Sequence, residues 1–146
     1  MKIRGPLVAF NLALTVLASF QGRMYLLYPL DKYVGGLIFL VSVAAAVAIH
    51  GSYPERHDTA SDFPELMTEG PYALCRHPFY LSLMGVQVGT FLYMDSFLGL
   101  VAFLFTLPLW YLLILKEERD LLMHWGEKYE EYMRRTPMII PRIRRS

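Results

Sequence analysis

Cysteine is nearly absent from this chain. The single Cys75 excludes an internal disulfide and a multi-cysteine metal site. The four histidines show no HxxxH, HExxH or HxxHH spacing, so no metal site is expected. Neither GxGxxG nor GxxxxGKS/T occurs, and nothing suggests a Ser/His/Asp triad. There is no internal repeat and no low-complexity stretch, and no nucleic-acid partner is expected. Charge is missing from four long apolar blocks: residues 6–20, 34–49, 79–94 and 97–115 contain no Lys, Arg or Glu.

What is present is hydrophobicity in blocks. Of 146 residues, 55% are hydrophobic, more than a soluble domain of this size carries. The fourth block has nineteen residues, about 28 Å at the helical rise, and spans a bilayer comfortably. The other three have fifteen or sixteen residues, about 22–24 Å. They must recruit flanking residues such as Tyr33 or His50, or sit in thinned lipid. The expected fold is an all-α integral membrane protein with about four transmembrane helices and a C-terminal amphipathic cytoplasmic helix. Lys2 and Arg4 before the first block also suit a signal peptide. Ala18-Ser19-Phe20 lacks a small residue at one cleavage position, which favours a retained helix.

With four spans, the termini share one side with residues 51–78. Twelve Lys and Arg fall on that side, against Arg23 and Lys32 on the other. This bias places both termini in the cytoplasm. One domain is expected over 1–146. It divides into a first helical hairpin (1–50), a cytoplasmic cofactor segment (51–78), a second hairpin (79–116), and an amphipathic helix with a basic tail (117–146). The short Tyr93-Met94-Asp95-Ser96 turn makes the third and fourth helices antiparallel neighbours. Leu121, Leu122, Trp125, Tyr129, Tyr132 and Met133 recur at helical spacing among charged residues, which predicts an amphipathic helix ended by Pro137. The basic residues at 142–145 suit anionic head groups.

The run Gly70-Pro71-Tyr72-Ala73-Leu74-Cys75-Arg76-His77-Pro78-Phe79-Tyr80 sets cations and tyrosines at the mouth of an apolar helix. Pro78 fits that helix's first turn, where its missing N–H costs nothing. The free N–H groups, with Arg76 and His77, suit a carboxylate or phosphate. Tyr72 and Tyr80 offer faces for a base or a cation. The same composition also serves as an interfacial anchor, and from the residues alone both readings stand. Lys116-Glu117-Glu118-Arg119-Asp120 follows the fourth block. Antiparallel packing would bring Glu117 or Glu118 to Arg76, Tyr80 and a shared ligand; a solvated charge run is the alternative.

The ordered motifs carry a resemblance. Glu65-Leu66-Met67-Thr68-Glu69-Gly70-Pro71-Tyr72 runs into Arg76-His77-Pro78-Phe79-Tyr80. Glu117-Glu118 and Trp125-Gly126-Glu127-Lys128-Tyr129-Glu130-Glu131-Tyr132 follow, then Arg135-Thr136-Pro137 and Ile140-Pro141. Over roughly residues 64–143 this resembles the isoprenylcysteine carboxyl methyltransferase family and its prokaryotic and phospholipid-methylating relatives. The resemblance implies a membrane enzyme using S-adenosyl-L-methionine on a lipidic or small hydrophobic acceptor. It implies cofactor contacts from Glu65, Leu66, Met67, Tyr72, His77, Pro78, Phe79, Tyr80 and Glu118. Arg76 and Glu117 are the catalytic candidates it suggests, with Tyr129 and Tyr132 closing the pocket. One feature departs from the family. Eukaryotic prenylcysteine enzymes carry an arginine near the end of the last membrane helix, whereas here Lys116 is the nearest cation to Tyr111-Leu112-Leu113-Ile114-Leu115.

In-line methyl transfer needs positioning rather than a metal. Two other readings stand beside it. A sterol-reductase-type membrane enzyme would use NADPH and need a site for its extra phosphate. A non-enzymatic membrane accessory protein would have no nucleoside-sized pocket between the third and fourth helices.

Overall fold

The computed structural model describes residues 4–22, 29–53 and 63–140. Part of the expected cofactor segment, 54–62, and the basic tail at 142–145 lie outside the described residues. Among the described residues six helices follow in order: α1 (Arg4–Ser19), α2 (Leu30–Gly51), α3 (Pro71–Leu74), α4 (Pro78–Tyr93), α5 (Phe97–Trp125) and α6 (Glu127–Arg135).

Two of these, α2 and α5, are long and apolar enough to cross a membrane unaided. Helices α1 and α4 have 16 residues each, about 24 Å, which is short of a full span. Only 11% of the apolar stretch of α2 is buried, with Leu37, Leu40 and Val47 all more than 60% exposed. In water so large an apolar face is an association surface; in lipid it is at rest.

The polarity of the interior makes the same point. Helix α1 buries Asn11, Thr15 and Ser19, spaced four residues apart, and exposes Leu7, Phe10 and Leu17. Ser82, Gln87, Thr90 and Thr106 are buried as well. Lipid supplies no hydrophobic drive between helices, so small and polar residues hold them together. This chain is a membrane protein by that arrangement.

The first two helices do not form a self-packed hairpin. Helix α2 packs chiefly on α4, and α1 on α5. Glycine explains the α2–α4 contact. A Cβ at Gly89 would strike the Phe39 backbone, one at Gly85 would strike Ser42, and one at Gly35 would strike Tyr93. Gly85 and Gly89 form a small-xxx-small pair that lets the backbones close up. Serine fixes the other side: Ser96 Oγ donates to the Gln21 carbonyl at 2.5 Å and caps α5 by accepting from Gly99 N–H at 3.1 Å.

A short turn joins α4 to α5. Pro78 opens α4 in its first turn, and a turn through Asp95 leads into α5. Helix α5 then departs from expectation. It continues past Leu115 to Trp125, 29 residues in all, about 44 Å. Its last ten residues therefore project the charged run from the bundle. The break comes at Gly126, whose φ of 53° suits a residue without Cβ. The expected single amphipathic helix is thus two pieces, the end of α5 and the nine-residue α6. Helix α6 ends at Arg135, before Pro137.

Candidate active site

The charged end of α5 meets the start of α4. Adjacent residues on a helix point about 100° apart, so Glu117 and Glu118 take different partners. Glu118, 7% exposed, faces inward. Its Oε1 accepts from Arg76 Nε at 2.7 Å, lies 2.6 Å from the second guanidinium nitrogen, and stands 3.2 Å from His77 Nε2. Glu117 faces a pocket and accepts from the Tyr80 hydroxyl at 2.7 Å.

Arg76 also closes the corner between α5 and α6. Its guanidinium donates to the carbonyls of Thr136 at 2.6 Å and Met133 at 3.2 Å. Its backbone N–H donates to Pro137 O and that of His77 to Met138 O, at 2.9 and 3.1 Å. The anion site expected from Arg76 and His77 at the mouth of α4 is therefore not formed. Both side chains are turned to Glu118, and the guanidinium is engaged on three sides.

Beside this corner lies a pocket of about 110 Å³. Its walls include Tyr53, Phe63, Tyr72, Trp125, Tyr129 and Tyr132, with Leu66, Met67 and Leu121. Among the described residues, three carboxylates, Glu65, Glu117 and Asp120, line it together with one guanidinium, that of Arg76, which Glu118 already matches. Such a pocket favours a cation through carboxylates and aromatic faces together. Burial pushes the Tyr53 phenol up to about 12, and burial likewise raises those of Tyr72, Tyr129 and Tyr132. These hydroxyls stay protonated at neutral pH. Tyr72 donates to Tyr53 at 2.9 Å, and Tyr132 to the Tyr72 carbonyl at 2.6 Å. The Tyr129 hydroxyl is buried with no hydrogen-bond partner among the described residues. At the pocket wall this phenol can bond a ligand's polar group.

Six of the residues singled out in the sequence line the pocket: Glu65, Leu66, Met67, Tyr72, Arg76 and Glu117. Tyr129 and Tyr132 line it as expected. His77, Pro78, Phe79, Tyr80 and Glu118 sit one layer behind. Phe79 stacks on His50 at 5.8 Å and packs edge-on to Tyr53 at 5.9 Å. Tyr53, Phe63, Asp120, Leu121 and Trp125 were given no site role. Helical spacing was the available signal for two of them: Glu117, Asp120 and Leu121 share one face of α5 at i, i+3 and i+4. Among the described residues, no group of three or more His, Cys, Asp or Glu could hold a metal ion.

An all-helical membrane bundle with an acidic, aromatic pocket at the end of its last long helix is the class that fold and pocket define. Comparison with known proteins makes the class particular. The phospholipid methyltransferase family profile matches residues 30–128, more than half of the chain, and the chain belongs to that family. It is 36% identical over 81 residues to the protein-S-isoprenylcysteine O-methyltransferase of Schizosaccharomyces pombe, covering 53% of this chain and 34% of that protein. The corresponding enzyme of Mus musculus is 33% identical over 85 residues, covering 58% and 30%. The nickel-cobalt-cadmium resistance protein NccN of Alcaligenes xylosoxydans xylosoxydans is 34% identical over 79 residues, covering 54% and 37%. The chain thus spans about a third of the length of the curated relatives it matches. No solved structure matches it significantly.

Proposed function

We propose that this chain is an integral membrane methyltransferase that takes S-adenosyl-L-methionine in the acidic, aromatic pocket and methylates a lipidic or small hydrophobic acceptor. The observation that carries the reading is the pocket's charge: among the described residues Glu65, Glu117 and Asp120 line it, and the Arg76 guanidinium beside them is ion-paired to Glu118. A sulfonium suits that lining, and ribose hydroxyls suit carboxylate acceptors and the unmet Tyr129 hydroxyl. Bound there, S-adenosyl-L-methionine supplies a methyl group already activated for transfer. The chain's own task is then orientation and exclusion of water. Glu117, held by Tyr80, is the candidate group to receive a proton from an amine acceptor; a thiolate or carboxylate needs no base.

The same lining opposes an NADPH-dependent reductase, because three carboxylates repel a dinucleotide's phosphates. A non-enzymatic accessory role is disfavoured by the presence of a discrete pocket where α5 leaves the bundle. A nearly wholly apolar groove of about 540 Å³ between α4, α5 and residues 137–140 supports lateral entry of an apolar acceptor. We place α1 and α4 as the third and fourth spans, packed on α5 and α2, with both termini on the cytoplasmic side of a prokaryotic inner or plasma membrane.

The test is incubation of the purified chain with lipid extract and isotopically labelled methyl donor, followed by mass spectrometry. A labelled lipid product is expected. Absence of label from every lipid, thiol and amine fraction would contradict the proposal.

A further inference from the structure

Deeper in the bundle, α1, α4 and α5 meet around Gln87. The side chain is fully buried. Its Nε2 donates to the Asn11 carbonyl and to Thr15 Oγ1, both at 2.8 Å, and its Oε1 accepts from the Trp110 indole N–H at 2.8 Å. Both amide protons and the amide oxygen are engaged, by helices on either side. Trp110 is itself fully buried, and its ring stands edge-on to Tyr80 at 5.7 Å. Tyr80 in turn holds the Glu117 carboxylate at 2.7 Å.

We infer that Gln87 is a positioning residue for the pocket, acting through Trp110 and Tyr80 to fix the Glu117 carboxylate. Apolar packing alone tolerates several ring orientations. An indole N–H in a lipid-surrounded interior does not, because every orientation that breaks the bond to Gln87 leaves a buried donor unmet. The indole is therefore held in one rotamer, and the Tyr80 ring packs against its face and edge in one pose. The consequence reaches beyond the family match. Helix α1 lies outside residues 30–128, yet its Asn11 carbonyl and Thr15 hydroxyl orient the amide on which the chain of contacts begins. The kinetic part of this inference rests on the proposed methyltransferase reading; the structural part does not.

The experiment places 3-fluorotyrosine at position 80 of the full chain in detergent and records its fluorine NMR resonance. Gln87→Leu and Trp110→Phe should each shift or broaden the resonance, whereas Leu112→Ala, on an exposed face of α5, should leave it in place. Trp110→Phe removes the five-membered ring together with the N–H, so a third chain carries 3-benzothienylalanine at position 110, which keeps both rings and lacks only the N–H, and it decides the matter if Gln87→Leu does not fold. In the kinetic arm, Trp110→Phe should slow methyl transfer to membrane lipid extract about tenfold with donor affinity unchanged. The double variant with Tyr80→Phe should be no slower than Tyr80→Phe alone, as contacts in series require. A resonance unmoved in a folded Trp110→Phe chain overturns the inference, and so do losses that simply add. Failure of the methyltransferase reading shows separately, as a wild-type chain that binds no S-adenosyl-L-methionine, and the NMR arm then decides alone.

Discussion

The Tyr80 hydroxyl donates to Glu117 Oε2 at 2.7 Å, tying the first turn of α4 to the charged extension of α5. Tyr80 does not line the pocket, and Glu117 does. In the proposed reading the tyrosine acts on the carboxylate's direction. Tyr80→Phe should slow methyl transfer about tenfold to a hundredfold, while donor binding measured by calorimetry changes little. Equal losses in binding and turnover would place Tyr80 in the donor site instead.

Arg76 and Glu118 are each about 8% exposed at the side chain and form the strap of the α5–α6 corner. Removing one partner of a buried pair leaves a charge stranded, typically at about 3–5 kcal/mol. Arg76→Lys cannot reproduce the fork that reaches Glu118 and two carbonyls. It should lower the unfolding temperature and accelerate hydrogen exchange selectively in residues 127–138. Uniform exchange across the chain would mean that the pair does not hold this corner.

Much of this site was legible before any coordinates. Pro78 announced a helix start, the four-residue turn announced a hairpin, and together they allowed Glu117 or Glu118 to meet the Arg76 segment. Two things were hidden. The assignment of the two glutamates depends on the rotation of α5, which a block of uniform apolar residues does not reveal. The capture of Arg76 by the Met133 and Thr136 carbonyls depends on where the chain turns after Gly126, and backbone acceptors leave no mark in a sequence. The polar stripe Asn11, Thr15, Ser19 was visible as helical spacing. Its burial was not, because in lipid the polar face is the inner one.

The α2–α4 contact rests on glycine at the points of closest approach. Gly89→Val inserts side-chain carbon into the Phe39 backbone. Overpacking of this kind costs about 1–3 kcal/mol. The expected outcome is a lower unfolding temperature in detergent, with Gly51→Val, where no neighbour lies within 4 Å, serving as the comparison. Equal effects at the two positions would argue against close packing at Gly89.

Alkaline pH should act through the pocket tyrosines. In the unfolded chain a phenol ionises near 10.0, whereas burial holds Tyr53 protonated up to about 12. The folded state binds this proton more tightly. Its stabilising effect is full below pH 10.0 and is lost as pH rises from there to about 12. Unfolding followed by circular dichroism should show a decline in that window, smaller in Tyr53→Phe. A decline already complete below pH 9 would assign it to other groups.

The most direct test is calorimetric titration of the detergent-solubilised chain with S-adenosyl-L-methionine, NADPH serving as competitor. A saturable one-to-one isotherm is predicted, undisturbed by NADPH. In Tyr129→Phe, loss of one neutral hydrogen bond should weaken binding by about 0.5–1.5 kcal/mol. No binding by the wild-type chain, or displacement of the donor by NADPH, would contradict the account.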